Sequence, residues 1–431
     1  MTGIAIAILI GSFLLMSLLR VPVAMSLAAS SVLTGIYLGV PLEVIGQRML
    51  NGLNSFSIMA IPLFIFAGEI MGEGGISEKL IRLSNLLLGR FRGGLAIVNV
   101  LSTMFFGGIT GSAVADASSI GSILIPMMRQ RGYDKDYAVG VTVTGSIQGV
   151  LLPPSHNLIL YSLAAGGGVS IAALFAAGLV PGVLLGLCLM VTSYIIAIRR
   201  RYPRGDTVPR EERWRVVLEG ALALTTPLII MVGILGGVFT ANESAAVAVV
   251  YALFLVMVVF RTVGLRGIHK ILIGTFRRLA VVLFLIAASS SFAWFLSYLG
   301  VPNAVMTFIT GLSSNRVVVL LLIILILLLF ALIMDMAPLI LVATPILLPI
   351  AVKYGITPVQ FGVMMMLNLG IGLAMPPIGS AIYVGCSIGE LKLEEAFRAM
   401  LPFLAVMLGV LILLTFVPSI SLTVPKLLLH Q

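Results

Sequence analysis

Long apolar runs recur along this chain, and they decide what it can fold into. A helix crossing the roughly 30 Å hydrocarbon core of a bilayer needs about 20 such residues. Eight runs stand clear, at 3–19, 21–40, 56–71, 171–198, 217–239, 241–260, 279–299 and 401–417. Composition says the same. Of the 431 residues, 60% are hydrophobic and 10% charged, with a mean hydropathy of +1.18, against about 45–50% apolar and about 25% charged for a soluble domain. Large soluble chains split into domains with polar exteriors and do not hide such a surplus. A soluble enzyme, a disordered tail and a nucleic-acid binder are excluded. Cys188 and Cys386 sit inside apolar runs, too far apart for a metal signature and too few for a disulfide framework. The first run lacks a basic leader and an A-x-A cleavage site, so it reads as a retained helix. The expectation is an all-α polytopic membrane protein.

Two further regions, about 95–165 and 316–388, are apolar but broken by Gly, Ser, Asp and Pro. Each is too long for one crossing and too interrupted for two plain helices. Each reads as a re-entrant hairpin followed by one broken crossing. With the N-terminus outside, the inner loops receive all of the 26 basic residues except Arg48, Arg316, Lys353 and Lys426. Arg20 and the arginine-rich stretch 199–215 fall on that inner side. Such a bias marks the cytoplasmic face, and it accounts for the formal charge of +10 without an anionic partner. Both termini are expected outside.

The two halves repeat. Pro126, Gly132, Gly149 and the pair Pro153–Pro154 recur as Pro349, Gly355, Gly372 and Pro376–Pro377, each 223 residues further on. Five crossings make the first half odd, so the second half runs upside down. Inverted repeats with discontinuous helices point to a secondary transporter.

The candidate chemistry gathers at the interruptions. The first hairpin carries Thr110, Ser112 and Asp116, and the second turns near residues 331–335. A non-helical tip at membrane depth leaves backbone groups that only protein or a hydrated cavity can satisfy. Each following helix must break at its Pro-Pro pair, because Pro removes a donor and clashes with the carbonyl four residues back. Carbonyls freed there are hard oxygen ligands, suited to Na⁺; the alternative is a plain structural kink. Asp116 and Asp335 are functional candidates as intramembrane ionisable groups, yet each also precedes a helical arm where Asp is a favoured N-cap. Glu69 and Glu243 read as interfacial or packing groups, His156 as a satisfied polar residue, and His269 and His430 as loop and tail residues. The stretch 76–92 is amphipathic and basic, which fits a helix lying in the cytoplasmic interface, either as an arm between fixed and mobile parts or as an inert surface helix. There is no H-E-x-x-H, G-x-S-x-G or Walker A pattern. No enzymatic activity is expected, and no ATP hydrolysis.

At this point the motifs resemble a family. Gly111-Ser-Ala-Val-Ala-Asp116 with Ser119-Ile-Gly-Ser-Ile-Leu-Ile-Pro126, Gly237-Val-Phe-Thr-Ala-Asn-Glu-Ser-Ala-Ala-Val247, Met334-Asp335 with Thr344-Pro-Ile-Leu-Leu-Pro349, and Asn368-Leu-Gly-Ile-Gly-Leu-Ala-Met-Pro-Pro377 with Gly385-Cys386 are similar to the large (DctM-type) membrane subunit of tripartite ATP-independent periplasmic (TRAP) transporters. The resemblance covers essentially the whole chain. It implies an elevator-type Na⁺ symporter of the bacterial inner membrane, with both termini periplasmic. A small four-helix subunit (DctQ-type) would buttress it, and a soluble periplasmic protein (DctP-type) would deliver an organic acid such as sialic acid or a C4-dicarboxylate. Scaffold helices would occupy 1–75 and 217–299, a cytoplasmic arm 76–94 and a periplasmic arm 300–315. The transport domain would comprise 95–170 and 316–390, with 171–198 closing the first repeat, 199–216 a basic loop and 391–431 a final helix and tail. By motif position, Ser112, Gly149, Leu152 and Pro154 would hold one sodium ion, and Ala331, Gly372, Met375 and Ile378 another. The substrate would lie near Thr110, Asp116, Ser155, His156, Asn157, Asp335, Asn368 and Ser380. Two departures stand out: His156-Asn157 follow Pro-Pro-Ser where the family usually has an apolar residue, and Ala331 occupies a position often held by Gly. Two competing expectations are a stand-alone divalent-anion/Na⁺ symporter of similar fold and an intramembrane hydrolase built on the two aspartates.

Overall fold

The computed structural model describes residues 2–19, 21–205 and 208–429; Arg20 and His430 lie outside the described residues. Lipid offers no hydrogen bonds, so a spanning chain must satisfy its backbone within helices. The first half runs α1 Thr2–Leu18, α2 Val23–Leu38, α3 Leu42–Leu53, α4 Ala60–Glu73, α5 Ile76–Leu88, α6 Gly94–Thr110, α7 Ala113–Gln130, α8 Lys135–Ser146, α9 His156–Ala164 and α10 Ile171–Arg199. The second runs α11 Arg210–Leu235, α12 Ala241–Phe254, α13 Leu265–Tyr298, α14 Val301–Leu312, α15 Arg316–Ala331, α16 Met336–Lys353, α17 Pro358–Leu373, α18 Ser380–Gly389, α19 Leu393–Phe416 and α20 Ser419–Leu429. No strand occurs among the described residues.

By length and apolarity six helices can cross a membrane: α10, α11, α12 with its π-helical extension to Val259, α13, α16 and α19. Several begin well before the apolar runs that signal them. α13 has 34 residues and starts at Leu265, about 51 Å of helix at 1.5 Å per residue, although its apolar run starts at 279. α11 and α19 start at Arg210 and Leu393, ahead of runs at 217 and 401. The reason is that an apolar run marks hydrocarbon and not helix. Glu211 and Glu212 open α11, and Glu394 and Glu395 open α19; acidic first turns favour the positive end of the helix dipole. α5 turns 69° from α4, so it leaves that helix's axis instead of prolonging it.

The repeat is visible in the backbone. The hairpin α6–α7 corresponds to α15–α16: Ala113 and Met336 open the second arms, and Gln130 and Lys353 end them, each pair 223 residues apart. Gly132 and Gly355 both have φ of +81°, a left-handed turn that suits glycine. The broken helix α8–α9 corresponds to α17–α18, and the Pro153–Pro154 and Pro376–Pro377 bonds are both cis.

Helices sort into two packing groups. In one, α1, α2, α3 and α13 pack together, α4 lies on α12 and α13, and α11 lies on α12 and α5. In the other, α6 to α10 pack with α17 to α20, and α16 packs on α9 and α17. α5 on α6, α4 on α6 and α9, and α13 with α14 on α16, join the two. Ion pairs hold the first group: Glu69 on α4 pairs with Arg278 on α13, and Lys79 on α5 meets Glu219 on α11 at 2.7 Å, with Arg215 2.8 Å from the same carboxylate. Glu243 closes a capping box with Thr240 at the start of α12. At the base of the second group, Arg200 reaches Asp134 at 2.9 Å and Asp136 at 3.2 Å. Tyr202 donates to Asp134 at 2.6 Å; burial, with that hydrogen bond, pushes its hydroxyl up to about 12.

Candidate ion-binding site

The first half-site is built where α6, α7 and the broken helix meet. α6 ends at Gly111, left-handed at φ +62°, and Ser112 caps α7 by accepting from the Ala115 N–H at 3.4 Å. The N-cap is therefore Ser112. Asp116 lies one turn further on, fully buried, and its Oδ1 accepts a hydrogen bond from the Thr110 hydroxyl. Its Oδ2 has no hydrogen-bond partner among the described residues. Below that oxygen two backbones touch. A Cβ on Gly107 would lie 2.8 Å from Asp116 Oδ2 and 3.1 Å from the Gly149 nitrogen, and a Cβ on Gly149 would strike the same oxygen. Only residues without a side chain allow this approach. The hairpin tip also rests on the break: a Cβ at Gly111 would stand 2.8 Å from Ser155 Cα and 3.3 Å from the His156 nitrogen.

The second half-site repeats the arrangement with different residues. Asp335 caps α16, accepting from the Met336 N–H at 2.9 Å. It is thus the structural counterpart of Ser112, not of Asp116, which corrects the pairing of the two aspartates as equivalent caps. Gly372 backs onto Ala331, where a Cβ would come 3.1 Å from the Ala331 carbonyl oxygen. The Gly372 carbonyl accepts from Met375 N–H at 3.1 Å and the Met375 carbonyl from Gly379 N–H at 3.0 Å; each oxygen keeps a second lone pair.

Burial separates the two. Leu152, Pro153, Pro154, Ser155 and Asn157 are buried, whereas Pro377, Ile378 and Asp335 are exposed, Ile378 by 48%. The pre-break segments cross: a Cβ on Gly370 would lie 2.7 Å from the Ile147 side chain and 3.2 Å from that of Val150. Asn368 donates to the Ile324 carbonyl at 3.0 Å, tying α17 to the second hairpin.

The hairpin and break segments hold several buried polar atoms without a hydrogen-bond partner among the described residues: Asp116 Oδ2, Ser155 Oγ, His156 Nδ1, Asn368 Oδ1 and Ser380 Oγ. Gln148 Oε1, also unpartnered, faces Gly186 on α10. His156 is accordingly not the satisfied polar residue its setting suggests. Buried polar groups normally find partners, so the unpartnered Asp116 Oδ2 at the Gly107–Gly149 contact marks a place for water or an ion. A free carboxylate oxygen beside neutral carbonyls and hydroxyls fits a hard monovalent cation. Among the described residues no three His, Cys, Asp or Glu side chains converge as a metal cage. Two contributors escape sequence reasoning. Gln148 donates to the Val100 carbonyl at 2.8 Å and to Thr103 Oγ1 at 3.2 Å, locking the break to α6; its signal is a lone amide in an apolar run next to Gly149. Gly107 is recognisable only from its partner across the fold.

Fold and site together define a polytopic membrane transport protein of two inverted repeats. Residues 10–420 match the family described as the DctM component of tripartite ATP-independent periplasmic transporters, and the chain belongs to that family. It is 38% identical over 383 residues to the sialic acid TRAP transporter large permease protein SiaM of Vibrio cholerae, covering 89% of each chain. It is 32% identical over 435 residues to the C4-dicarboxylate TRAP transporter large permease protein DctM of Rhodobacter capsulatus, covering 98% of this chain and 99% of that one. In fold it is similar to the YdaH transporter of Alcanivorax borkumensis, with a TM-score of 0.62, 14% identity, and 87% and 88% of the two chains covered. The chain is a multi-pass membrane subunit of a transporter, not an enzyme, and the tripartite family implies partnership with a small membrane subunit and a periplasmic binding protein.

Proposed function

We propose that this chain is the large subunit of an inner-membrane importer that uses a Na⁺ gradient to move an organic acid delivered by a periplasmic binding protein. The observation that carries the reading is the Asp116 carboxylate, its free oxygen set over the Gly107–Gly149 contact, with a repeat-related counterpart where Gly372 meets Ala331. Ser112, Gly149, Leu152, Pro154 and Asp116 would hold one ion, and Ala331, Gly372, Met375 and Ile378 a second. A bound sodium supplies the positive charge that a buried carboxylate needs at membrane depth. Thr110 fixes the carboxylate's orientation, and Gln148 fixes the break against α6. Ser155, His156, Asn157, Asn368, Asp335 and Ser380 would face the organic acid. Relatives named for sialic acid and for C4-dicarboxylates support an acid substrate without choosing one.

The two packing groups support an elevator in which the second group moves along the first. The scaffold would be 1–75 and 217–299, with arms 76–94 and 300–315. The termini would be periplasmic and the loop 199–216 cytoplasmic, as the basic residues favour. Reconstitution tests the reading. Vesicles carrying this chain and its small subunit, supplied with the binding protein and its ligand, are expected to accumulate substrate only under an inward Na⁺ gradient and without ATP. Undiminished accumulation with choline replacing Na⁺ would contradict it.

A further inference from the structure

Two loops far apart in sequence meet at the end of α10 and set two arginines face to face. Arg92 and Arg204 form an isolated antiparallel bridge, and the Gly93 N–H donates to the Pro203 carbonyl at 2.9 Å. That bond places Arg92 and Arg204 in the non-hydrogen-bonded register, where Cα atoms stand about 4.5 Å apart and side chains are closest. Like charges directly opposite destabilise such a pair. The segment is nevertheless held firmly. Gly93 is left-handed at φ +69°, and Gly94 and Gly205 both pack on the Gly89 backbone. Among the described residues no carboxylate pairs with Arg92 or Arg204, and both side chains are exposed. Asp134 and Asp136 are engaged by Arg200, and Glu219 by Lys79 and Arg215. The protein keeps a repulsive cationic pair in a rigid frame.

Arg204 lies five residues beyond the end of α10, a helix long and apolar enough to cross a membrane, so the pair stands near a membrane surface. Phe91, next to Arg92, is 39% exposed, and Trp214 in the first turns of α11 is 75% exposed. Exposed aromatic side chains near the ends of spans suit the interface between hydrocarbon and headgroups. Guanidinium groups bind phosphate through paired, charge-assisted hydrogen bonds.

We propose that Arg92 and Arg204 together form a site for the phosphate of an anionic phospholipid, with Phe91 beside its acyl chains. The lipid relieves the repulsion and anchors the junction between α5 and the first hairpin to the bilayer. The site is independent of the transport reading and can be tested on binding alone. The complex of this chain with its small subunit is titrated with phosphatidylglycerol in micelles, and bound lipid is counted by native mass spectrometry. Removing one cationic contact near an anionic headgroup weakens binding roughly fivefold, so R92Q/R204Q is expected to weaken the tightest site at least tenfold. R266Q/R277Q removes the same charge from exposed positions elsewhere and is expected to leave that site within twofold of wild type. Equal loss in both variants, or no loss in R92Q/R204Q, would overturn the proposal. So would displacement of the lipid by millimolar inorganic phosphate, which would make this a soluble-anion site.

Discussion

Asp116 and Asp335 look alike in the sequence and do different work. Asp335 spends its carboxylate on the first N–H of α16 and is exposed, whereas Asp116 is buried with one oxygen bonded to Thr110 and one free. Asp116→Asn keeps an acceptor for Thr110 and removes the charge. It is expected to express and assemble normally while the Na⁺ concentration for half-maximal uptake rises at least tenfold; an unchanged Na⁺ dependence in transport assays would remove Asp116 from the ion site. Thr110→Val leaves a buried carboxylate without its donor. A lost partner of this kind costs about 1–3 kcal/mol, to be read as a lower midpoint in denaturant unfolding of the purified subunit. Both glycines before the breaks were legible as a repeat. The Ser112–Asp335 equivalence was not, because matching residue types points to the wrong pair while chain register points to the right one. Gly107 was illegible for a plainer reason: it matters only because Gly149 comes to lie against it.

At the scale of elements, hydropathy locates the hydrocarbon but not the helix ends, as α11, α13 and α19 show. The first turns of α11 and α19 are acidic, and negative charge at an N-terminus supports a helix. That α5 is a separate amphipathic helix was legible from the spacing over 76–92. What holds α5 in place was not, since Lys79 and Glu219 are 140 residues apart. These side chains are only 20% and 15% exposed, so the pair lies between the surface and the buried regimes. Lys79→Met is expected to lower stability by about 1–2 kcal/mol. Because Glu219 then loses one of two partners, the double variant K79M/E219Q should cost less than the two single changes added together. Additive losses in a thermal-unfolding cycle would show that the two do not interact.

The whole molecule is a pair of inverted repeats whose hairpins and breaks meet at the crossing of two discontinuous helices. On the proposed topology an odd number of crossings per half puts both termini on one face and the 199–216 loop on the other, and the basic residues favour the periplasm for the termini. A reporter fused after Gln431 is expected to be active only if it functions in the periplasm, and activity confined to a cytoplasmic reporter would reverse the orientation. The central claim is that the two glycine contacts are ion cradles and not mere kinks. Sodium dependence of uptake in Gly149→Val and Gly372→Val measures this most directly. A Cβ at either position meets Asp116 or Ala331, so both variants should insert and assemble with the small subunit, yet require several-fold more Na⁺ for half-maximal uptake. If both retained the wild-type Na⁺ dependence, the cradle account would be contradicted.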